Sequence, residues 1–357
     1  MLERHFATLR RTCWRMDALP PLSGPIAIWG AGTRGRELRR AMERRGVTTA
    51  FFIDNDIVLQ DEFVDGVPVL PLELAARRDP LPVCISVELG YDMAMRLRRL
   101  GVEDFYCINK GYRTTPFPVL QHEAEILRVL DLLADEESRT CYLAALHMRA
   151  TGRADTMHPS PYHQNKHPVV KPAHGDIIIN GGGYVGNVAS NFARLTHRDC
   201  TIYSFEPIPK VYTHLTDNIA ERGLTDIVTT VNKALWSETG LVGFTIMESS
   251  RSGSSRATEE SPQRLPAVDL DSFVRARRLP AVDLIEMDVE GSEPQALAGA
   301  VGVITRFRPK LQISLYHAPE HLWELPLFIH QLVPDYSFYI GHHSHAFNET
   351  MLYAVVP

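Results

Sequence analysis

Cysteine, surplus charge and long apolar runs are what this sequence has least of. Its five cysteines, Cys13, Cys84, Cys107, Cys141 and Cys200, stand far apart with no CxxC pair. That speaks against a disulfide scaffold, and the apolar surroundings of three of them read as buried thiols of a reducing compartment. No stretch approaches the roughly 18 consecutive apolar residues of a membrane span. The N-terminal MLERHFATLRRTCWRM is broken by charge every few residues and has no apolar signal region, so the expectation is a cytoplasmic protein with no membrane association. The formal net charge of -6 gives no support to a nucleic-acid partner. Arg36, Arg39, Arg40, Arg44 and Arg45 do cluster, but they share a predicted helix with Glu37 and Glu43 and read as a solvated face. What remains is an ordinary globular composition, 45% hydrophobic over 357 residues, with room for two domains.

The most informative stretch is Asp176 to Gly186, DIIINGGGYVG. A short β-branched run bounded by glycine reads as a buried parallel strand. The following NVASNFARL puts Val188, Phe192 and Leu195 at helical spacing, so the glycines fall on a strand-to-helix turn. Glycine there admits positive φ and close approach of a ligand, and the helix N-terminus adds free N–H groups. A tight turn alone would look the same. The next strand, TIYSF, ends in Glu206, 24 residues past Gly182. Such an acid either grips a ribose diol or serves as a charge before the helix PKVYTHLTDNI; the pairing of glycine turn and acid at this separation favours the ribose.

An earlier segment repeats the pattern. IAIWGAGTRGRELRRAM carries Gly30, Gly32 and Gly35 in GxGxxG spacing, then a helix with Leu38, Ala41 and Met42 that Gly46 stops. The strand TAFFI ends in Asp54, and PVCIS and DFYCI supply two more strands. These read as a half-Rossmann unit over 24–110, with Gly30, Gly32, Gly35 and Asp54 as candidate nucleotide contacts. The run IAIWGAG, FFIDND and GVPVLPLELA resembles the N-terminal domains of sugar-modifying acyltransferases and some sugar methyltransferases, which implies a nucleotide or nucleotide-sugar site.

The remaining chain is read as follows. Residues 1–23 form an amphipathic helix (Leu2, Phe6, Leu9, Cys13, Met16) ended by PPLSGP, and 111–170 a helical connector and loop. The Pro- and His-rich HPSPYHQNKHPVVKPAH is expected as a loop able to lie over a site, its histidines solvated and without metal-ligand spacing. From 171 to 357 come IVTTVN as a third strand, SSRSGSSRATEESP as a mobile or ligand-ordered loop, and VDLDSFVRAR as a short helix with Asp271 in its first turn. A fourth strand runs from Val282 to Met287 with Asp288 and Glu290 at its tip, a fifth ends in Tyr316 and His317, and YSFYIG and TMLYAVV form the last pair. Carboxylates at a parallel strand's C-terminal end mark a chemical site.

At IEMDVEGSEPQALAGA the chain resembles the FkbM family of S-adenosylmethionine-dependent methyltransferases. The resemblance continues through SFEPIPKVYTHLTDNI, NKALWSETG, VDLDSFV, LQISLYH with LWELP, and YSFYIGHHSHAFNETMLYAV, in order over 176–357. It implies a class I methyltransferase fold, an α/β Rossmann-like seven-stranded sheet of order 3-2-1-4-5-7-6 with the last strand antiparallel, preceded here by the smaller half-Rossmann domain. It further implies that Asn180, Gly182 and Gly186 line the cofactor, that Glu206 holds the ribose diol, that Asn232 and Ala234 border the adenine, and that Asp288 faces the transferred methyl. Two departures stand out: Asn180 replaces an acid and Tyr184 a small polar residue, and Glu286 stands where the family often has lysine.

The expected activity is O-methylation of a hydroxyl on a carbohydrate, nucleotide sugar or other small metabolite, with Asp288, His317 and Glu290 as catalytic residues. Strand tips four and five adjoin in this topology, and the loop after the sixth strand is expected to bring His342, His343 and His345 to the same face. No metal ligand is assigned, although a divalent cation held by carboxylates and one imidazole is an open alternative. An NAD(P)-dependent oxidoreductase using the first glycine turn and a non-catalytic nucleotide-binding protein with a decayed site are the other readings, and a homo-oligomer stays open.

Overall fold

A computed structural model describes residues 22, 24–56, 59–60, 62–86, 96–97, 99–102, 104–107, 119–151, 157, 159–246, 255–257, 263–344 and 347–357. The helix expected over 2–18, Cys13 and His345 lie outside them. Two compact units emerge: Met1–Ala124 with Thr140–Pro159 and Ser344–Glu349, and Glu125–Arg139 with Ser160–His343 and Thr350–Pro357. They divide the 111–170 stretch between them.

In the first unit, strands β1 (Ile26–Trp29), β2 (Thr49–Ile53), β3 (Phe63–Val64), β4 (Val67–Leu70), β5 (Val83–Ile85) and β6 (Phe105–Cys107) form one sheet of order β3-β4-β2-β1-β5-β6. β1 pairs in parallel with β2 on one side and β5 on the other. The chain therefore reverses its winding between β1 and β5, where open α/β sheets have their crevice. The Gly30–Gly35 turn leads from β1 into the helix Thr33–Glu43. Gly35 is obligatory, because a Cβ there would lie 1.7 Å from the Gly30 carbonyl oxygen. The β3–β4 hairpin, built from the GVPVL segment, was not expected.

In the second unit the strands are β7 (Asp176–Gly181), β8 (Cys200–Phe205), β9 (Val228–Val231), β10 (Ala234–Leu235), β11 (Gly240–Ile246), β12 (Ser255–Ala257), β13 (Arg264–Val268), β14 (Leu284–Met287), β15 (Lys310–Ser314), β16 (Ser337–His342) and β17 (Thr350–Val355). Seven of them make the main sheet, ordered β16-β17-β15-β14-β7-β8-β9, with β17 antiparallel to both neighbours. Read from the other edge this is 3-2-1-4-5-7-6, the class I methyltransferase order. Ile178, Ile179, Leu284 and Ile285 are fully buried in the central strands, as helices on both faces of a parallel sheet require. On one face the helix Asn187–Leu195 lays Ala189, Phe192 and Ala193 into a cluster with Leu215 and Ile219 of the helix Pro209–Glu221.

Two expectations fail here. Part of the Ser/Arg/Gly loop is strand β12, which joins β10, β13 and β11 in a second, four-stranded sheet. The histidine-rich segment is also less solvated than its composition suggests. His167 is buried, accepts the N–H groups of Val169 and Val170 on Nδ1, and stacks on Tyr353 at 4.4 Å, while Tyr353 donates to the Gln164 carbonyl. Aromatic partners on β16 and β17 supply the burial that composition could not announce.

Candidate active site

The glycine turn after β7 is shaped first by its neighbours. Gly182 has φ +89, and a Cβ there would meet the Asp288 carbonyl oxygen at 1.9 Å; one on Gly183 would meet Ser204 Oγ at 2.5 Å. Gly186, φ +84, packs against Leu215 and Ile219. Small residues thus let the tip of β14 and the helix Pro209–Glu221 close in on the turn. Tyr184 sits between them in the left-handed region at φ +44.

Glu206 follows β8 and is almost fully buried. Its Oε1 accepts the N–H of Ile208 at 2.9 Å and its Oε2 that of Tyr184 at 3.1 Å. It braces the entry to the following helix, and each oxygen keeps a further lone pair as acceptor. Burial pushes its pKa up to about 7, against the two N–H bonds that lower it. Asn232 donates to the carbonyls of Glu206 and Pro207, tying the end of β9 to that of β8 and so holding the carboxylate.

Asn180 and Ala234 both lie inward of the turn. The Asn180 side chain is fully buried within the sheet, donating to Glu286 Oε2 at 2.6 Å and accepting from Ser204 Oγ at 2.7 Å. Asn180 and Glu286 are register partners on β7 and β14, so the two departures from the family pattern form one compensated pair, and Glu286 engages Asn180 across the sheet. Ala234 packs in an apolar cluster with Ile208 and Leu265. Both side chains are buried against protein atoms.

At the tip of β14 the expected carboxylates meet the expected imidazole. His317 Nε2 lies 3.4 Å from Asp288 Oδ1 and 3.5 Å from Glu290 Oε2. On its other side Nδ1 lies 2.9 Å from Glu293 Oε1. Glu293, the first residue of the helix Glu293–Ala298, is the residue that the sequence analysis missed. Fully buried, it accepts the N–H groups of Val289 and Gly291 and approaches His321 Nδ1 at 3.4 Å. Its signal was the acid in the first helical turn behind EGS, where a carboxylate can reach back to free N–H groups. Tyr316 was legible as a strand end but not as a donor; its hydroxyl lies 2.9 and 3.0 Å from the two oxygens of Asp288.

Charge follows from this packing. Three carboxylates raise the His317 pKa well above its ordinary value despite burial, with Glu293 the largest favourable influence. Glu293 is held lower, chiefly by His317. Asp288, whose side chain keeps 28% exposure, is pushed up to about 6 by desolvation, with His317 opposing the rise. The interior pair is thus an ion pair, while Asp288 and Glu290 stand at the accessible rim. Asp288 is poised to change protonation just below neutrality. Oxygen and nitrogen atoms of Asp288, Glu293 and His317 also lie within 4.8 Å of one another, close enough to share a cation.

His342 and His343 have other duties. His342 Nδ1 bonds Thr350 Oγ1 across the last strand pair, and His343 lies between the Tyr162 carbonyl and Tyr353 Oη, its pKa lowered to about 4 by burial. The hairpin's own packing uses both rings, and the register places His342, opposite Thr350, at the same end of the sheet as the tip of β15.

Residues 180–340 match the methyltransferase FkbM domain. The crystal structure of methyltransferase FkbM from Methylobacillus flagellatus KT superposes with a TM-score of 0.75 at 17% identity, covering 99% of this chain and 98% of that one, a likeness of fold. O-methyltransferase TomG from Streptomyces achromogenes aligns at TM-score 0.33 and 12% identity over 68% of this chain and 91% of its own. Aeropyrum pernix fibrillarin in complex with S-adenosyl-L-methionine aligns at 0.34 and 14% over 51% and 67%. At those scores neither bears on the assignment. No curated relative matches the sequence. Over residues 180–340, which hold most of the seven-stranded sheet and the carboxylates at the central strand tips, the chain carries a methyltransferase FkbM domain.

Proposed function

We propose that residues 171–357 form the catalytic domain and methylate an oxygen, the hydroxyl of a carbohydrate, nucleotide sugar or other small metabolite. The observation that carries this reading is the pairing of a rim carboxylate, Asp288, with an interior His317–Glu293 ion pair. When bound, S-adenosylmethionine supplies the electrophilic methyl; the residues suited to hold it are Glu206, for the ribose diol, and the turn at Gly182 and Gly186. Asp288 takes the proton that the acceptor hydroxyl loses. His317, already protonated, steadies the carboxylate and is not itself the base. Tyr316 fixes the orientation of Asp288, and Glu290 at the same rim is suited to bind a hydroxyl of the acceptor. The buried thiols of Cys84, Cys141 and Cys200 support a cytoplasmic setting.

A mass-spectrometric search for methylated products in metabolite extract given purified protein and labelled cofactor tests this; label appearing only on nitrogen or carbon would overturn it. A divalent cation on Asp288, Glu293 and His317 is the second reading, favoured by their mutual approach. It requires His317 to lose its proton, and activity lost to EDTA and restored by Mn²⁺ would establish it.

The first unit's turn is proposed to take a nucleotide or nucleotide sugar. Gly30 has φ +107, Gly32 faces open space, and Asp54 Oδ2 accepts the N–H of Ala31 at 2.8 Å. A thermal shift with a nucleotide panel that persists in Gly32→Val would rule out the turn as that site.

A further inference from the structure

A groove in the second unit lies away from the strand tips that carry the carboxylates. It opens between the helices Leu270–Arg277 and Val301–Phe307, which lead into β14 and β15 at the strand ends opposite Asp288 and His317. Asp271 holds the two helices side by side by accepting the N–H groups of Gly302 and Val303, and a Cβ on Gly302 would meet its Oδ2 at 2.7 Å. The concavity between them measures about 560 Å³, within the roughly 300–1,000 Å³ of small-molecule sites. Its apolar lining includes buried Val274 and Val303 and half-buried Leu279 and Phe307.

The charged lining is unbalanced. Three arginines, Arg275, Arg278 and Arg306, stand with one carboxylate, Asp271, whose oxygens already serve the two N–H groups. Among the described residues no carboxylate pairs with any of the three; Arg275 donates to Ser272 Oγ, and the Arg306 guanidinium lies 4.7 Å over the Phe307 ring. Arg278 and Arg308 end their helices in the same left-handed conformation, φ +52 and +49, which a Cβ disfavours. Arg308 uses its guanidinium on Asp335 at 2.8 Å, whereas Arg278 lines the groove. The macrodipole explains cations in the last turn of a helix, but not their placement around an apolar concavity. The surplus of two positive charges matches a phosphate monoester, which carries about two negative charges near neutral pH, and a planar guanidinium offers paired N–H groups to its oxygens. An enclosed concavity, unlike a flat basic face, suits a dissolved ligand rather than a bilayer headgroup. We propose that the groove binds a soluble phosphate monoester of an apolar alcohol or phenol, its phosphate on Arg275, Arg278 and Arg306 and its apolar body against Leu279 and Phe307.

Calorimetric titration of the full-length protein with phenyl phosphate, inorganic phosphate, phenol, and phosphatidylcholine vesicles containing phosphatidic acid tests this. Phenyl phosphate should bind saturably and about tenfold or more tighter than inorganic phosphate, and phenol should show no saturable binding. Arg278→Gln and Arg306→Gln should each weaken phenyl phosphate binding about tenfold, with an unchanged unfolding temperature. Arg308→Gln, whose guanidinium already has its carboxylate, should bind as the wild type does, and saturating S-adenosylhomocysteine should not compete. Absence of phenyl phosphate binding, equal affinity for inorganic phosphate, displacement by S-adenosylhomocysteine, or a loss in Arg308→Gln as large as in Arg278→Gln would overturn the proposal. Binding of the vesicles alone would place a lipid surface there and overturn it equally.

Discussion

Asp288 is where the chemistry and the local electrostatics meet. Its pKa of about 6 arises from desolvation, with the His317 cation and the Tyr316 hydroxyl pulling the other way. The carboxylate form that accepts a proton therefore grows in as pH rises through about 6, and methyl transfer should rise over the same interval. Asp288→Asn should abolish product formation from labelled cofactor in metabolite extract while S-adenosylhomocysteine affinity stays within a few-fold. An active Asp288→Asn enzyme would displace Asp288 as the base. At this scale the sequence was legible where strand tips were: Asp288, Glu290 and His317 converge because parallel neighbours end at one edge. It was silent on Glu293, whose carboxylate turns inward from the first turn of a helix, and on whether Asn180 faces a ligand or the sheet. Residue type carries no information on the direction in which a short polar side chain points, and here Ser204 and Glu286 decided it.

The helices and strands show what periodicity can and cannot supply. DIIING, CTIYSF and the helix behind the glycine turn were readable because apolar spacing matches the faces they bury. Strands β11 to β13 were not: β12 has three residues within a polar Ser/Arg-rich stretch, and such a strand is specified by its ladder partner rather than by its own pattern. Caps tell a similar story. Asp271 is the first-turn acid of the helix Leu270–Arg277, as expected, and that helix is capped by Asp269, which accepts the Ser272 N–H. What the sequence did not announce is that Asp271 also accepts the N–H groups of Gly302 and Val303, capping the helix Val301–Phe307 from outside. Asp271→Ala should then destabilise the second unit by about 1–2 kcal/mol, with Asp271→Asn recovering part of the loss. Chemical denaturation would show it, and an unchanged midpoint would mean that water serves those two N–H groups equally well.

For the catalytic unit as a whole, buried titratable groups pull stability in opposite directions with pH, and the cofactor acts on one side only. His167 and His343 have pKa values lowered to about 4 by burial, so the stability they confer is complete above their ordinary value and is lost as pH falls below it. Glu206 is raised to about 7, so what it confers is complete below its ordinary value and is lost as pH rises toward 7. The unliganded protein then carries a cost for ionising Glu206 near neutrality, about 3 kcal/mol by the size of the shift. A ribose diol donating two hydrogen bonds to the carboxylate removes much of that cost, and binding releases a proton from the fraction of Glu206 still protonated. The gain in unfolding temperature given by S-adenosylhomocysteine should therefore grow from pH 5 to pH 8, while the histidine contributions, common to both forms, cancel in the difference. Differential scanning fluorimetry at matched ionic strength, with and without ligand, measures this directly. A gain that stays constant over the interval, or shrinks, would mean that Glu206 is not the group to which the cofactor is linked.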